Sequence, residues 1–150
     1  MDIFTPEKRS QIMSRVRSED TKPELRLRKV LHGLGYRYRL HNRELPGKPD
    51  LVFPKYRKVI FVHGCFWHRH PGCKKAALPV VNRTYWENKL TNNVRRDAVT
   101  IDQLESIGWA AMVVWECELK NQDDVTHRVE HYLRGHQPTP THALHRAQSD

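Results

Sequence analysis

The sequence predicts an α/β domain built on a single mixed β-sheet flanked by helices. Three observations carry this. Apolar residues recur at helical spacing after recognisable helix starts. Short runs rich in β-branched and aromatic residues at 50–53, 58–63 and 109–116 read as strands. The elements follow one another as helices, a three-strand run, a helix, a strand and a helix, the order expected when one sheet carries helices on its faces. The chain has 150 residues, which fits one domain that can fold without disulfides.

Thr5-Pro6-Glu7-Lys8 is a helix start, with a capping hydroxyl followed by Pro at the first helical position. That helix is expected to run to about Val16. A second begins at 20–24, with Leu27, Val30, Leu31 and Leu34 on its apolar face and Gly35 at its end. The alternating segment 36–40 suggests a strand. Residues 46–50, "PGKPD", form a turn. Strands at 50–53 and 58–63 are joined as a hairpin through "PKYR". A long helix from about Thr84 to Ser106 turns Leu90, Val94, Ile101 and Leu104 inward. The segment "WAAMVVWE" (109–116) is a buried strand leading into Cys117. Asp123 caps a last helix, which turns Val125, Val129 and Leu133 inward and ends at Gly135. The folded domain is thus 1–135. The polar tail 136–150 has nothing to pack with, and disorder is expected there.

Charge narrows the function. With 26 Lys+Arg against 17 Asp+Glu, the net charge is +9 and the pI near 9.7. Such a surface suits a polyanion: nucleic acid first, an anionic membrane surface as the alternative. No apolar run could span a bilayer, and the N-terminus lacks an apolar signal core, so a cytoplasmic protein is expected. An odd count of three Cys, two of them among His, reads as metal binding more readily than as disulfides.

The stretch "HGCFWHRHPGC" (63–73) offers more ligands than one metal needs. Zinc takes four N or S ligands. The three thiolates, Cys65, Cys73 and Cys117, are the softest candidates. His70, set beside Cys73 by the Pro71-Gly72 turn, is taken as the fourth. A site closed by four protein ligands is structural and adds its binding energy to folding. The bland alternative is buried thiols with surface histidines. His63 and His68 are then left over. The hairpin pairs position 50 with about 61, so His63 lies diagonal to Asp50 on one face, within joint reach of a metal or water. A carboxylate and a histidine so placed suit hydrolytic Mg²⁺ chemistry, although an Asp after Pro is more often a turn residue.

The segments "RSQIMSRVRSEDTKPELRLRKVLHGLGYRYRL", "LPGKPDLVFPKYRKVIFVHGCFWHRHPGC", "YWENKLTNNVRRDAVTIDQLESIGW" and "VVWECEL" resemble the very-short-patch repair (Vsr) DNA mismatch endonucleases of bacteria, from about Arg9 to Leu119. The resemblance implies a restriction-endonuclease-like PD-(D/E)XK fold with a degenerate motif. It implies nicking of one strand 5′ of a T mispaired with G, usually in a CT(A/T)GG-type context, where 5-methylcytosine has deaminated. The cut opens a short repair tract for a polymerase and a ligase. The implied partner is double-stranded DNA with a T·G mismatch. The implied links are to a DNA cytosine methyltransferase and mismatch-repair proteins, with a monomeric enzyme at the bacterial nucleoid.

By position, Asp50 resembles the catalytic Mg²⁺-binding aspartate, and Val62 the residue whose backbone carbonyl also meets Mg²⁺. His63 and His68 resemble catalytic histidines, and Glu24 the glutamate of the metal-water network; without the family, Glu24 is equally an ordinary first-turn glutamate. Cys65, His70, Cys73 and Cys117 match the structural Zn²⁺ ligands. Met13, Phe66 and Trp67 match residues that wedge into DNA beside the mismatch, with residues 1–18 forming a DNA-contacting helix. The loop from Cys65 to Cys73 is one residue longer than in a representative family member. Val62 stands where that pattern has Thr, a change to which a backbone carbonyl is indifferent.

A wedge costs a few kcal/mol per unstacked step. A T·G wobble is stacked and paired less well, so the lower cost there can become selectivity. On a zinc-braced loop Phe66 and Trp67 are expected to point outward; an isolated Phe-Trp pair, like Met13, would otherwise be read as core. Arg9, Arg15, Arg17, Lys89, Arg95 and Arg96 are candidate phosphate clamps, each of which could equally be a solvated charge. Asp97 is a candidate partner for His68. Two other functions fit the residues less specifically: a non-catalytic zinc DNA-binding protein, and a restriction endonuclease cutting matched DNA.

Overall fold

Thr21 opens the first helix of the structure, a computed structural model that describes residues 21–135. Its hydroxyl accepts from the Glu24 N–H at 3.4 Å, and Pro23 sits in the first turn, where a missing N–H costs nothing. Helix α1 runs Lys22–Gly33, and Gly35 follows it at φ +100°. The helix expected from Thr5, with Arg9, Met13, Arg15 and Arg17, lies outside the described residues, as does the tail from His136.

The inward face of α1 differs from the expected one. Leu27 and Leu31 are fully buried, but Val30 and Leu34 are 40% and 50% exposed. The stripe is completed instead by Glu24 and Arg28, which are buried together as an i,i+4 ion pair. Counting apolar residues alone turned the helix partly away from its true face, because a paired charge can occupy a core position.

Strand β1 is only Arg39–Leu40, shorter than the expected 36–40. Tyr36 and Tyr38 are held by packing rather than by a ladder: the Tyr38 ring lies edge-on to Phe53 at 5.9 Å, and the Tyr36 hydroxyl donates to Glu130. Strands β2 (Leu51–Phe53) and β3 (Lys58–His63) form the expected hairpin, antiparallel with Leu51 opposite Ile60. Helix α2 (Arg83–Ser106) then returns the chain to β4 (Ala110–Trp115), which pairs parallel to β3 from Lys58–Ala110 to His63–Trp115. A parallel pair needs a crossover of this length. Helix α3 (Gln122–Leu133) is capped by Asn121, which accepts from the Asp124 N–H at 3.1 Å; the cap is therefore Asn121 and not Asp123.

The sheet order is β1-β2-β3-β4. Strand alternation sends Leu51, Phe53, Ile60, Met112 and Val114 to one face, against Leu27 and Leu31 of α1 and Val125, Val129 and Leu133 of α3. Val52, Val59, Phe61, Ala111 and Val113 go to the other, against Ile101 and Leu104 of α2. The same alternation carries Asp50 and His63 to the α2 face, where β2 begins and β3 ends. Among the described residues no helix is long and apolar enough to cross a membrane.

Candidate functional site

Asp50 precedes β2, and its Oδ2 accepts the Val62 N–H at 2.7 Å. An extended residue points its N–H and C=O to the same side. The Val62 carbonyl therefore faces the β2 side too. Continuing the hairpin register from Leu51–Ile60 puts Pro49 opposite Val62, and Pro has no N–H to give that carbonyl. The Asp50 carboxylate and the Val62 carbonyl thus border one cavity of about 370 Å³. His63, His68, Asp97 and Arg96 line it as well. Of the sequence-assigned catalytic residues, Asp50, His63 and His68 come together here.

His63 is buried at 7% exposure. Its ring stacks on that of His68, with centroids 3.8 Å apart and planes 7° from parallel. Trp115 meets its edge at 5.3 Å. His68 lies in the loop after β3, and its Nδ1 is 2.6 Å from Asp97 Oδ2 on α2. The carboxylate holds the proton on Nδ1, which leaves Nε2 for proton transfer. Asp97 therefore stands where the sequence suggested. His63, His68 and Asp97 could each offer a ligand atom within 4.8 Å of the others. The stack argues against one shared ion. Imidazole lone pairs lie in the ring plane, and two parallel planes this far apart do not both contain a metal about 2 Å from each nitrogen.

Glu24 is not among the residues lining that cavity. It is fully buried and paired with Arg28, whose Nη2 is also 3.2 Å from His41 Nε2. His41 Nδ1 in turn is 3.7 Å from Asp50 Oδ1. Sequence reasoning missed Arg28 and His41. Nothing in "LHNREL" marks His41, and only the fold brings it beside Asp50.

The second cluster is Cys65, His70, Cys73 and Cys117, whose ligand atoms all lie within 4.8 Å of one another. His70 Nδ1 is 3.6 Å from Cys65 Sγ and 3.4 Å from Cys117 Sγ. A tetrahedron with Zn–S of about 2.3 Å and Zn–N of about 2.0–2.1 Å has an S–N edge of about 3.6 Å, so the donor set fits zinc. The loop is closed locally: the His70 N–H donates to the Cys65 carbonyl, the Cys73 N–H donates to the His70 carbonyl, and Gly72 takes φ +72°. Burial pushes the Cys65 thiol up to about 12 and raises Cys117, while the Lys75 backbone N–H lowers Cys73. Burial also lowers His70, which favours the neutral ring that a ligand requires. His70 stacks on Trp115 at 4.2 Å, so one indole contacts both a candidate zinc ligand and His63.

The wedge residues depart from expectation. Phe66 is only 8% exposed, packed with Trp86 and Leu90; its ring meets Trp86 at 5.5 Å and Trp67 at 5.3 Å. The Phe66 side chain therefore does not point outward. Trp86, on the first turn of α2, supplies the apolar pocket that the sequence reading had not provided for. Trp67 is half-buried, with Lys89 Nζ 5.7 Å from its ring. Arg95 and Arg96 are exposed on α2, and of these Arg96 lines the cavity.

A family model described as DNA mismatch endonuclease Vsr matches residues 1–75. The chain is 45% identical over 133 residues to the type II nicking enzyme V.NmeAIP of Neisseria meningitidis serogroup A, covering 89% of this chain and 94% of that one. It is 46% identical over 132 residues to the type II nicking enzyme V.XorIIP of Xanthomonas oryzae pv. oryzae, covering 88% and 96%. With the DNA mismatch endonuclease Vsr of Escherichia coli K12 it shares 37% identity over 139 residues, covering 89% and 88%. The chain belongs to the Vsr family of DNA mismatch endonucleases.

Proposed function

We propose that this protein is a Mg²⁺-dependent, zinc-braced, strand-specific endonuclease that nicks 5′ of the T in T·G mismatches left by deaminated 5-methylcytosine, starting very-short-patch repair. The observation that carries this reading is the convergence of Asp50, the Val62 carbonyl, His63 and the Asp97-held His68 on one cavity. The names borne by the relatives support nicking and mismatch recognition over a purely DNA-binding protein or an enzyme cutting matched duplexes.

Asp50 and the Val62 carbonyl would hold Mg²⁺, an oxygen-seeking ion that keeps several waters and phosphate oxygens in its shell. Bound there, it supplies charge stabilisation to the phosphate under attack. His63 would take a proton from the attacking water. His68, its Nδ1 committed to Asp97, presents Nε2 to give a proton to the leaving oxygen. Zinc held by Cys65, His70, Cys73 and Cys117 would brace the loop that carries His68. Arg96 at the cavity and Lys89 and Arg95 on α2 would grip phosphates. Trp67 would wedge beside the mismatch, with Phe66 packed behind it against Trp86 and Leu90. Met13, Arg9, Arg15 and Arg17 complete the DNA-contacting set. The enzyme acts as a monomer on chromosomal DNA in the bacterial cytoplasm, linked functionally to a cytosine methyltransferase and to mismatch-repair proteins.

The test compares wild type with Asp50→Ala on a T·G duplex. Asp50→Ala is expected to bind the mismatch but not to nick it. Normal nicking by Asp50→Ala would remove the metal-binding role.

A further inference from the structure

We propose that His41 is a positioning residue for the Asp50 carboxylate, oriented by Arg28, which is anchored on the buried Glu24. The inference rests on Asp50 being the metal-binding carboxylate of the proposed function, and it assigns Glu24 an indirect route to that site.

The chain of contacts runs from α1 to the start of β2. Glu24 and Arg28 are one turn apart on α1, and both side chains are almost wholly buried. The pairing fixes the guanidinium. Its Nη2 reaches His41 Nε2 at 3.2 Å. A guanidinium has donors only, so His41 Nε2 must be the acceptor and the ring proton sits on Nδ1. Nδ1 is the atom that faces Asp50 Oδ1 at 3.7 Å. Arg28 thus selects the tautomer that presents an N–H to the carboxylate; with the proton on Nε2, two donors would confront each other and Nδ1 would turn a lone pair on Asp50.

The other carboxylate oxygen is already engaged, since Oδ2 accepts the Val62 N–H. With Oδ2 hydrogen-bonded and the His41 N–H facing Oδ1 at 3.7 Å, the carboxylate is biased toward one orientation before any cation arrives. A carboxylate that need not reorient binds a metal ion more tightly for the same contacts. Glu24 influences the metal site through this linkage, while its own side chain stays out of the cavity.

The experiment uses His41→Leu and His41→Gln in the full chain. Glutamine retains an amide N–H and an amide oxygen, whereas leucine keeps bulk without either. Two readouts are taken: the Mg²⁺ concentration giving half-maximal nicking of a T·G duplex, and Mn²⁺ affinity for the protein bound to a duplex with a non-hydrolysable linkage, read by electron paramagnetic resonance of free Mn²⁺. His41→Leu is expected to raise the half-saturating Mg²⁺ and weaken Mn²⁺ binding by about five- to tenfold, below the range for a hydrogen bond to a charged group because the 3.7 Å contact is longer than one. His41→Gln should stay within about threefold, and metal-free binding to the T·G duplex should not change in either. Wild-type metal dependence in His41→Leu, or an equal loss in both variants, would overturn the proposal. If His41→Leu does not fold, His41→Asn, too short to bridge Arg28 and Asp50, must show the same loss. A wild-type protein that fails to nick T·G in Mg²⁺ would sink the proposed function, whereas the Mn²⁺ affinities would still decide the role of His41.

Discussion

Phe66 and Trp67 are neighbours in the loop after β3 but do not share an environment, and the difference yields a quantitative prediction. Phe66 is 8% exposed against Trp86 and Leu90. Withdrawing it from that pocket costs roughly 1.5–3 kcal/mol of apolar transfer and about 1 kcal/mol for its edge-to-face aromatic contacts. Opening a base step costs a few kcal/mol more. Trp67 is half-buried, so its insertion carries a smaller cost. Stacking of one base on an aromatic ring recovers about 1–3 kcal/mol, which roughly matches the base-step cost that dominates for Trp67 but falls well short of the larger total for Phe66. Trp67→Ala should therefore reduce the preference for T·G over matched duplex by about 5- to 30-fold and lower stability only modestly. Phe66→Ala should lower stability by about 3 kcal/mol and reduce the preference less. Fluorescence anisotropy on the two duplexes gives the preference, and thermal unfolding of the free proteins gives the stability. If folded Phe66→Ala loses mismatch preference as fully as Trp67→Ala, Phe66 does leave its pocket and the reasoning fails.

Other outcomes follow from the two clusters. Asp97→Ala removes the acceptor that sets the His68 tautomer. A charge-assisted bond of about 2 kcal/mol, discounted because both side chains are about a quarter exposed, predicts a roughly 5- to 20-fold fall in single-turnover nicking with DNA binding unchanged; an unaltered rate would show that Asp97 does not orient His68. Cys117→Ser should abolish stoichiometric zinc in purified protein and lower the melting temperature; retention of both would remove Cys117 from the ligand set. Burial raises the Cys65 and Cys117 thiols, so each is protonated in the zinc-free protein at neutral pH and zinc must displace both protons. Zinc affinity, measured by chelator competition, should therefore fall as pH falls, by at least about a hundredfold per pH unit between 8 and 7. A pH-independent affinity would contradict that ligand assignment. Arg96→Ala should weaken binding to all duplexes and reduce the salt slope by about one; an unchanged slope would mean that Arg96 touches no phosphate.

The strands and the long helix were legible because their signals are local. The β-branched run of β3, the "PKYR" turn and the Pro49-Asp50 start of β2 together fix a register, and that register alone puts Asp50 and His63 on one face. The Cys-His spacing, the Pro71-Gly72 turn and the lone thiol after the last strand together pointed to the four residues that cluster. What the sequence concealed depends on long-range packing. The buried Glu24–Arg28 pair looks like surface charge in a linear reading, and so the face of α1 was misjudged. The pocket that takes in Phe66 is made by Trp86 and Leu90, some twenty residues along the chain. His41 carries no pattern of its own and gains meaning only where β1 delivers it to Asp50.

The central claim is that the Asp50 cavity serves a strand-specific nick at a T·G mismatch. The most direct measurement incubates the protein with Mg²⁺ and end-labelled duplexes that differ only in one base pair, T·G or matched, with each strand labelled in turn. The account predicts a single nick 5′ of the mismatched T, an intact G strand and an uncut matched duplex. Equal cleavage of both duplexes, or cuts on both strands, would contradict it.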